Sequence, residues 1–139
     1  MKKVSMYCTG IFCLLMALTS CSSSNNYPSD YVGFEKSEIS RTLNKDKATE
    51  EFSVKIIAAE KSDKDREVIV TVMNPPNKVL LTAEKSVVVI PAKKTSAMIT
   101  LKAYPPRIDE GKKPNVRVNC KLKESTKSGS QLTIHLTKQ

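Results

Sequence analysis

Side chains able to do chemistry are few in this sequence. His135 is the single histidine among 139 residues. It alternates with Ile134 and Leu136, which turns it away from the side those neighbours bury. No cysteine stands at metal-ligand spacing from it, and no G-x-S-x-G or comparable nucleophile setting accompanies it. Neither a zinc site nor a hydrolytic triad has a footing. Cys120 shares a face with Val116, Val118 and Leu122 and reads as a small buried hydrophobe. Nothing near it argues for the lowered pKa of a reactive thiol. Asp63, Asp65 and Glu67 alternate across a turn, and Asp109 and Glu110 lie further along. Calcium takes about six to eight oxygens, and the EF-hand glycine is missing, so a solvated turn is favoured over a metal site.

The cations form a more definite pattern. Arg117, Lys121 and Lys123 project from one face of a strand, where they can meet phosphates or acidic glycans. Such a row also serves as an ordinary wet face that discourages edge-to-edge aggregation. Lys93-Lys94 and Lys112-Lys113 add to a total of 23 basic against 14 acidic residues, a formal charge of +9. Saccharide sites commonly present aromatic faces. This chain has no tryptophan, and Tyr104, just ahead of Pro105-Pro106 in a long loop, is the best-placed aromatic. Candidate ligand contacts are therefore Tyr104, Arg117, Lys121 and Lys123. No catalytic residue, metal ligand or cofactor is expected.

These residues ride on strands. Phe52, Val54 and Ile56; Val68, Val70 and Val72; Ala97, Ile99 and Leu101; Val116, Val118, Cys120 and Leu122; and Leu132, Ile134 and Leu136 each recur at period two. Period two marks strands with one buried and one wet face. The unbroken run Val87-Val88-Val89-Ile90 predicts a more deeply buried strand. Segments 31–34 and 39–43 add edge pairing, and 44–51 has room for a helical turn. Asn74-Pro75-Pro76-Asn77 stops a strand, Pro91-Ala92-Lys93-Lys94 suits a hairpin, and 105–114 is a long polar connection. About seven short strands at this spacing predict an all-β, immunoglobulin-like antiparallel β-sandwich over 31–139.

Residues 1–20 belong to an address rather than to the fold. Lys2-Lys3 is followed by the apolar run Ile11-Phe12-Cys13-Leu14-Leu15-Met16-Ala17-Leu18, too short to span a bilayer. Leu18-Thr19-Ser20-Cys21 then resembles the lipobox of bacterial lipoproteins. That resemblance implies diacylglycerol on Cys21, cleavage ahead of it, and an anchor that holds the chain on a membrane without crossing it. Ser22 in place of aspartate fits an outer-membrane destination. Segment 22–30, Ser-Ser-Ser-Asn-Asn-Tyr-Pro-Ser-Asp, reads as a tether with a reach of roughly 30 Å. After cleavage Cys120 is the one cysteine beyond Cys21, so no internal disulfide is expected.

The stretch Ser86-Val87-Val88-Val89-Ile90-Pro91-Ala92-Lys93-Lys94-Thr95-Ser96-Ala97-Met98-Ile99-Thr100-Leu101 resembles the corresponding part of Calx-beta-like sandwiches, and similar segments occur in small Bacteroidota lipoproteins. The acidic cluster of calcium-binding members is replaced by Ala103-Tyr104-Pro105-Pro106-Arg107-Ile108-Asp109-Glu110, so their calcium site is not carried over. The expected function is a lipid-anchored, non-enzymatic binding or assembly module of the cell envelope, whose partner is a protein complex or a polysaccharide. The alternative is a structural lipoprotein that anchors or spaces other components. No nucleic-acid partner is expected for an exported chain.

Overall fold

Alternation at period two is realised in nine strands: β1 (Val32–Phe34), β2 (Glu38–Leu43), β3 (Glu50–Ala58), β4 (Arg66–Met73), β5 (Leu81–Ala83), β6 (Val87–Ile90), β7 (Ser96–Ala103), β8 (Asn115–Leu122) and β9 (Ser130–Lys138). They are seen in a computed structural model that describes residues 28–127 and 129–139. Cys21, the apolar leader and the tether up to residue 27 lie outside the described residues. The strands form a four-stranded sheet, β1-β3-β7-β5, facing a five-stranded sheet, β2-β9-β8-β4-β6. The fold is an all-β, immunoglobulin-like sandwich, as the sequence pattern predicts.

Both edges of the sandwich are made by a strand that changes sheet. β1 pairs antiparallel with β3; the chain then breaks at Glu35-Lys36-Ser37 and continues as β2 beside β9. β5 pairs with β7; the chain breaks at Glu84-Lys85-Ser86 and continues as β6 beside β4. The two breaks carry the same tripeptide, exposed in both, which suits neither a strand interior nor a core. Switching sheets also explains the parallel β2–β9 pairing within an otherwise antiparallel structure, because β2 keeps the heading of β1.

Inward residues of both sheets make one core, including Ile56, Val68, Leu101, Val116, Val118, Leu132, Ile134 and Leu136. Among the described residues no polar or charged residue is buried. Full burial of a branched aliphatic side chain stabilises by about 1.5–3 kcal/mol, so a dozen such residues can hold a domain without disulfides. Cys120 lies among them, 1% exposed.

Four local expectations are corrected. The valine run is not deeply buried: Val87 and Val89 are 37% and 43% exposed, because β6 is an edge strand whose outer face meets solvent. Residues 91–94 do not close a hairpin, since β6 and β7 lie in opposite sheets. Residues 44–51 hold a tight turn, with the Asn44 side chain accepting the Asp46 N–H at 2.9 Å, and then enter β3. The long 105–114 connection is not wholly polar either: a 3-10 turn at Pro105–Arg107 delivers Ile108 into the core.

Candidate functional site

The outer face of the five-stranded sheet collects the side chains that alternate away from the core. On β8 these are Arg117, Asn119 and Lys121, with Lys123 following in the same phase. Register then brings partners that no single strand reveals. Asn119 lies between Thr71 of β4 and Gln131 of β9, Lys121 lies beside Ile69, and Arg117 lies between Met73 and Thr133. Gln131 Nε2 donates to Asn119 Oδ1 at 3.0 Å, and Asn119 Nδ2 contacts Met73 Sδ at 3.2 Å. Together Ile69, Thr71, Met73, Asn119, Lys121 and Gln131 line an open depression of about 650 Å³. Its wall combines amide and hydroxyl donors and acceptors with the apolar surface of Met73 and Ile69. A polyhydroxylated ligand with polar edges and C–H faces fits that mixture.

The basic row is placed as expected, but its members differ. Lys123 Nζ is bound by Glu67 Oε2 at 2.8 Å, and that hydrogen bond, followed by the Glu67 charge, raises its pKa. Arg117 and Lys121, one on each side of Asn119, form no ion pair among the described residues. Tyr104 is not brought to this row. It follows β7 of the opposite sheet, and its hydroxyl lies 3.2 Å from Thr82 Oγ1. The Arg107 guanidinium covers the ring at 4.2 Å from its centroid and also donates to the Val79 carbonyl at 2.9 Å. The chain itself thus occupies one face of the aromatic platform.

The remaining titratable groups are held singly. His135 Nδ1 lies 2.6 Å from Asn115 Oδ1, with Glu38 Oε2 3.8 Å from Nε2. Asp65 accepts the Ala92 N–H at 2.7 Å, while Glu67 is taken by Lys123, so the 63–67 carboxylates do not converge. Among the described residues no three His, Cys, Asp or Glu side chains form a metal-binding group. Asn119 was within reach of the alternation argument, since it sits between Arg117 and Lys121. Thr71 and Gln131 were not, because only strand register sets them beside it.

No protein-family profile matches this chain, and no curated protein does. Solved structures resemble its fold. A Bacteroides ovatus protein of unknown function superposes with a TM-score of 0.65 at 10% identity, over 79% of this chain and 45% of that one. A second Bacteroides ovatus structure, named a "putative carbohydrate binding protein", gives 0.64 at 10% identity over 77% of this chain and 36% of that one. CBD12 from CALX1.2 gives 0.58 at 12% identity over 78% and 45%. At such identities these likenesses establish the fold alone. The chain spans only about a third to a half of each of those structures.

Proposed function

We propose that this chain is a lipid-anchored module of the bacterial cell envelope that holds a polysaccharide on the outer face of its five-stranded sheet. The observation that carries the reading is the depression around Thr71, Asn119 and Gln131, with Lys121 at its rim and Met73 in its wall. The fold likeness to the Bacteroides ovatus protein named for carbohydrate binding supports it. Cys21 is the lipid attachment site in an outer-membrane lipoprotein, and the module works by binding rather than by catalysis. Arg117 and Lys121 select acidic groups on the ligand, Lys123 is a structural partner of Glu67, and Tyr104 makes no ligand contact.

A second reading, assembly or spacing by strand addition, has one specific observation behind it. β1 leaves the sheet after Phe34, and the Glu35 N–H to Lys55 carbonyl bond at 3.2 Å continues its ladder with β3 only one step further. The β3 residues 51–53 lie past that point, beside an open groove of about 470 Å³ lined by Phe34, Ile39, Val54 and Met98. A strand from an envelope protein would extend the sheet there.

The two readings separate in one set of measurements. Binding of a panel of neutral and acidic polysaccharides is expected to weaken about tenfold in Asn119→Ala/Gln131→Ala, through lost hydrogen bonds. Tyr104→Ala is expected to leave it unchanged. A panel with no ligand, or one whose binding follows Tyr104 and ignores Asn119, overturns the glycan site. Cys21→Ser is expected to move the protein from the membrane to the soluble or unprocessed fraction. Unchanged detergent partitioning would end the lipoprotein reading.

A further inference from the structure

The two poles of the sandwich differ in charge. At the pole where the described chain begins, loops 59–65 and 91–95 set Lys61, Lys64, Lys93 and Lys94 against Glu60, Asp63 and Asp65, an almost balanced mixture. At the opposite pole three segments meet. The Lys45 N–H bonds the carbonyl of Gln139 at 2.8 Å, and Lys138 Nζ reaches the Ile108 carbonyl at 2.7 Å and Glu110 Oε2 at 3.1 Å. Here the acidic residues are already occupied. Asp109 is bound by Lys78 at 2.7 Å, and that bond, with the Lys78 charge behind it, holds its carboxyl below the ordinary range. Glu110 is bound by Lys138, and Glu50 accepts the Asn44 N–H at 2.9 Å. Lys45, Lys47, Lys112 and Lys113 are exposed and make no ion pair among the described residues, and Arg117 stands beside them on β8. Asp46 and Glu50 are the acidic residues at this pole that form no ion pair among the described residues.

We propose that this distal pole is a docking surface for an anionic, carboxylate-bearing envelope polysaccharide, gripped by Lys45, Lys47, Lys112 and Lys113. Charge complementarity gives the chemistry: mobile, strongly hydrated ammonium groups spread over two loops suit a flexible polyanion better than one small rigid anion. Chain length gives the direction, and this part rests on Cys21 being the anchor. Residues 22–27 reach at most about 20 Å. Beyond them the chain is pinned to the proximal pole by the Asp30–Lys127 ion pair and by the Ala59 N–H to Tyr31 carbonyl bond at 2.9 Å. Strands of nine residues are about 30 Å long. With the anchor at the proximal pole, the distal pole is the end free to stand away from the membrane, several Debye lengths from its headgroups at physiological salt when the domain is upright. Its partner is a polymer of the surrounding compartment.

The test measures binding of the lipidated chain in detergent to immobilised polygalacturonate, with neutral dextran as blank. Lys45→Glu/Lys47→Glu/Lys112→Glu/Lys113→Glu is expected to weaken retention at least about tenfold, and the corresponding Lys→Gln set by a smaller factor. Lys61→Glu/Lys64→Glu/Lys93→Glu/Lys94→Glu changes the net charge equally at the other pole and is expected to stay within about twofold of the parent. All eight positions are exposed, so the parent's melting temperature serves as the check on folding in each set. Equal loss at both poles reduces the effect to net charge and overturns the proposal, as does no loss at the distal pole. A preference for phosphatidylglycerol vesicles over polygalacturonate through the same four lysines also overturns it, in favour of a membrane. Loss in Asn119→Ala/Gln131→Ala alone would return the anion to the sheet face, whereas a failure of Cys21→Ser to release the protein removes only the direction.

Discussion

Replacing Cys120 with lysine is expected to leave the domain unfolded at 25 °C. Cys120 is 1% exposed, on the inward side of β8 with Val116 and Val118, and its register neighbours are Val70 and Ser130. An ammonium placed there loses its water and finds no buried carboxylate among the described residues. The effective cost is several kcal/mol for an unpaired ion, and the longer side chain adds overpacking on top of it. Domains of this size are stable by only about 5–15 kcal/mol. Cys120→Ala removes one sulfur atom and is expected to cost about 1 kcal/mol. Urea unfolding of the two variants beside the parent decides the matter. A lysine variant that melts like the parent would mean that this strand does not face the core.

The same thiol gives a pH dependence with a defined sign. Burial pushes Cys120 up from 9.0 to about 11. Below pH 9 both folded and unfolded chains hold the proton, and stability is unaffected. Between about pH 9 and 11 the unfolded chain releases it while the folded chain keeps it, so rising pH favours unfolding by up to about 3 kcal/mol. The urea midpoint of the parent should fall more steeply than that of Cys120→Ala over this interval. Parallel curves would mean that the thiol is hydrated in the native state.

Strand phase was legible in the sequence because each long strand has one dry and one wet side. Val54 and Ile56, Val68 and Val70, Ile99 and Leu101, and Leu132 and Leu136 all point inward as their alternation demands. The valine run of β6 misled because β-branched residues favour strands without specifying depth, and an edge strand satisfies the same preference. β5 escaped notice for a related reason: Leu81-Thr82-Ala83 is too short to show a period. A usable signal lay elsewhere, in Glu-Lys-Ser at 35–37, 60–62 and 84–86. Two of these break a strand between sheets and the third ends β3. In the candidate site, Arg117, Asn119 and Lys121 were readable from one strand, while Thr71 and Gln131 depend on β4 and β9 being its neighbours. Tyr104 looked accessible because loop aromatics usually are, and only the fold carries Arg107 back over its ring.

Gly33→Ala is expected to cost about 3 kcal/mol, although it adds a single methyl group to a three-residue strand. Gly33 is buried, and a Cβ there would overlap Ser130 Cβ and the end of the Tyr31 ring. Those two side chains close the corner where β1 has left the β9 edge without a strand partner. The Tyr31 hydroxyl donates to the Phe34 carbonyl at 2.9 Å, Ser130 Oγ accepts the Phe34 N–H at 3.1 Å, and the two hydroxyls lie 3.2 Å apart. The added methyl must displace one of them and so leaves a backbone group of Phe34 without its partner. Ser130→Gly removes one of the two clashing groups and leaves the Tyr31 ring to shift into the space, so the double variant should lose less than the two single changes added together, by about 1 kcal/mol. Tyr31→Phe alone should cost about 1 kcal/mol, the contribution of its hydroxyl. Urea unfolding of the four variants gives the cycle, and strict additivity would separate Gly33 from Ser130. The corner also joins two functional parts of the molecule. Tyr31 is where the tether enters the fold, and Ser130 precedes Gln131 of the candidate saccharide site, so a loosened corner should weaken polysaccharide binding before it unfolds the core.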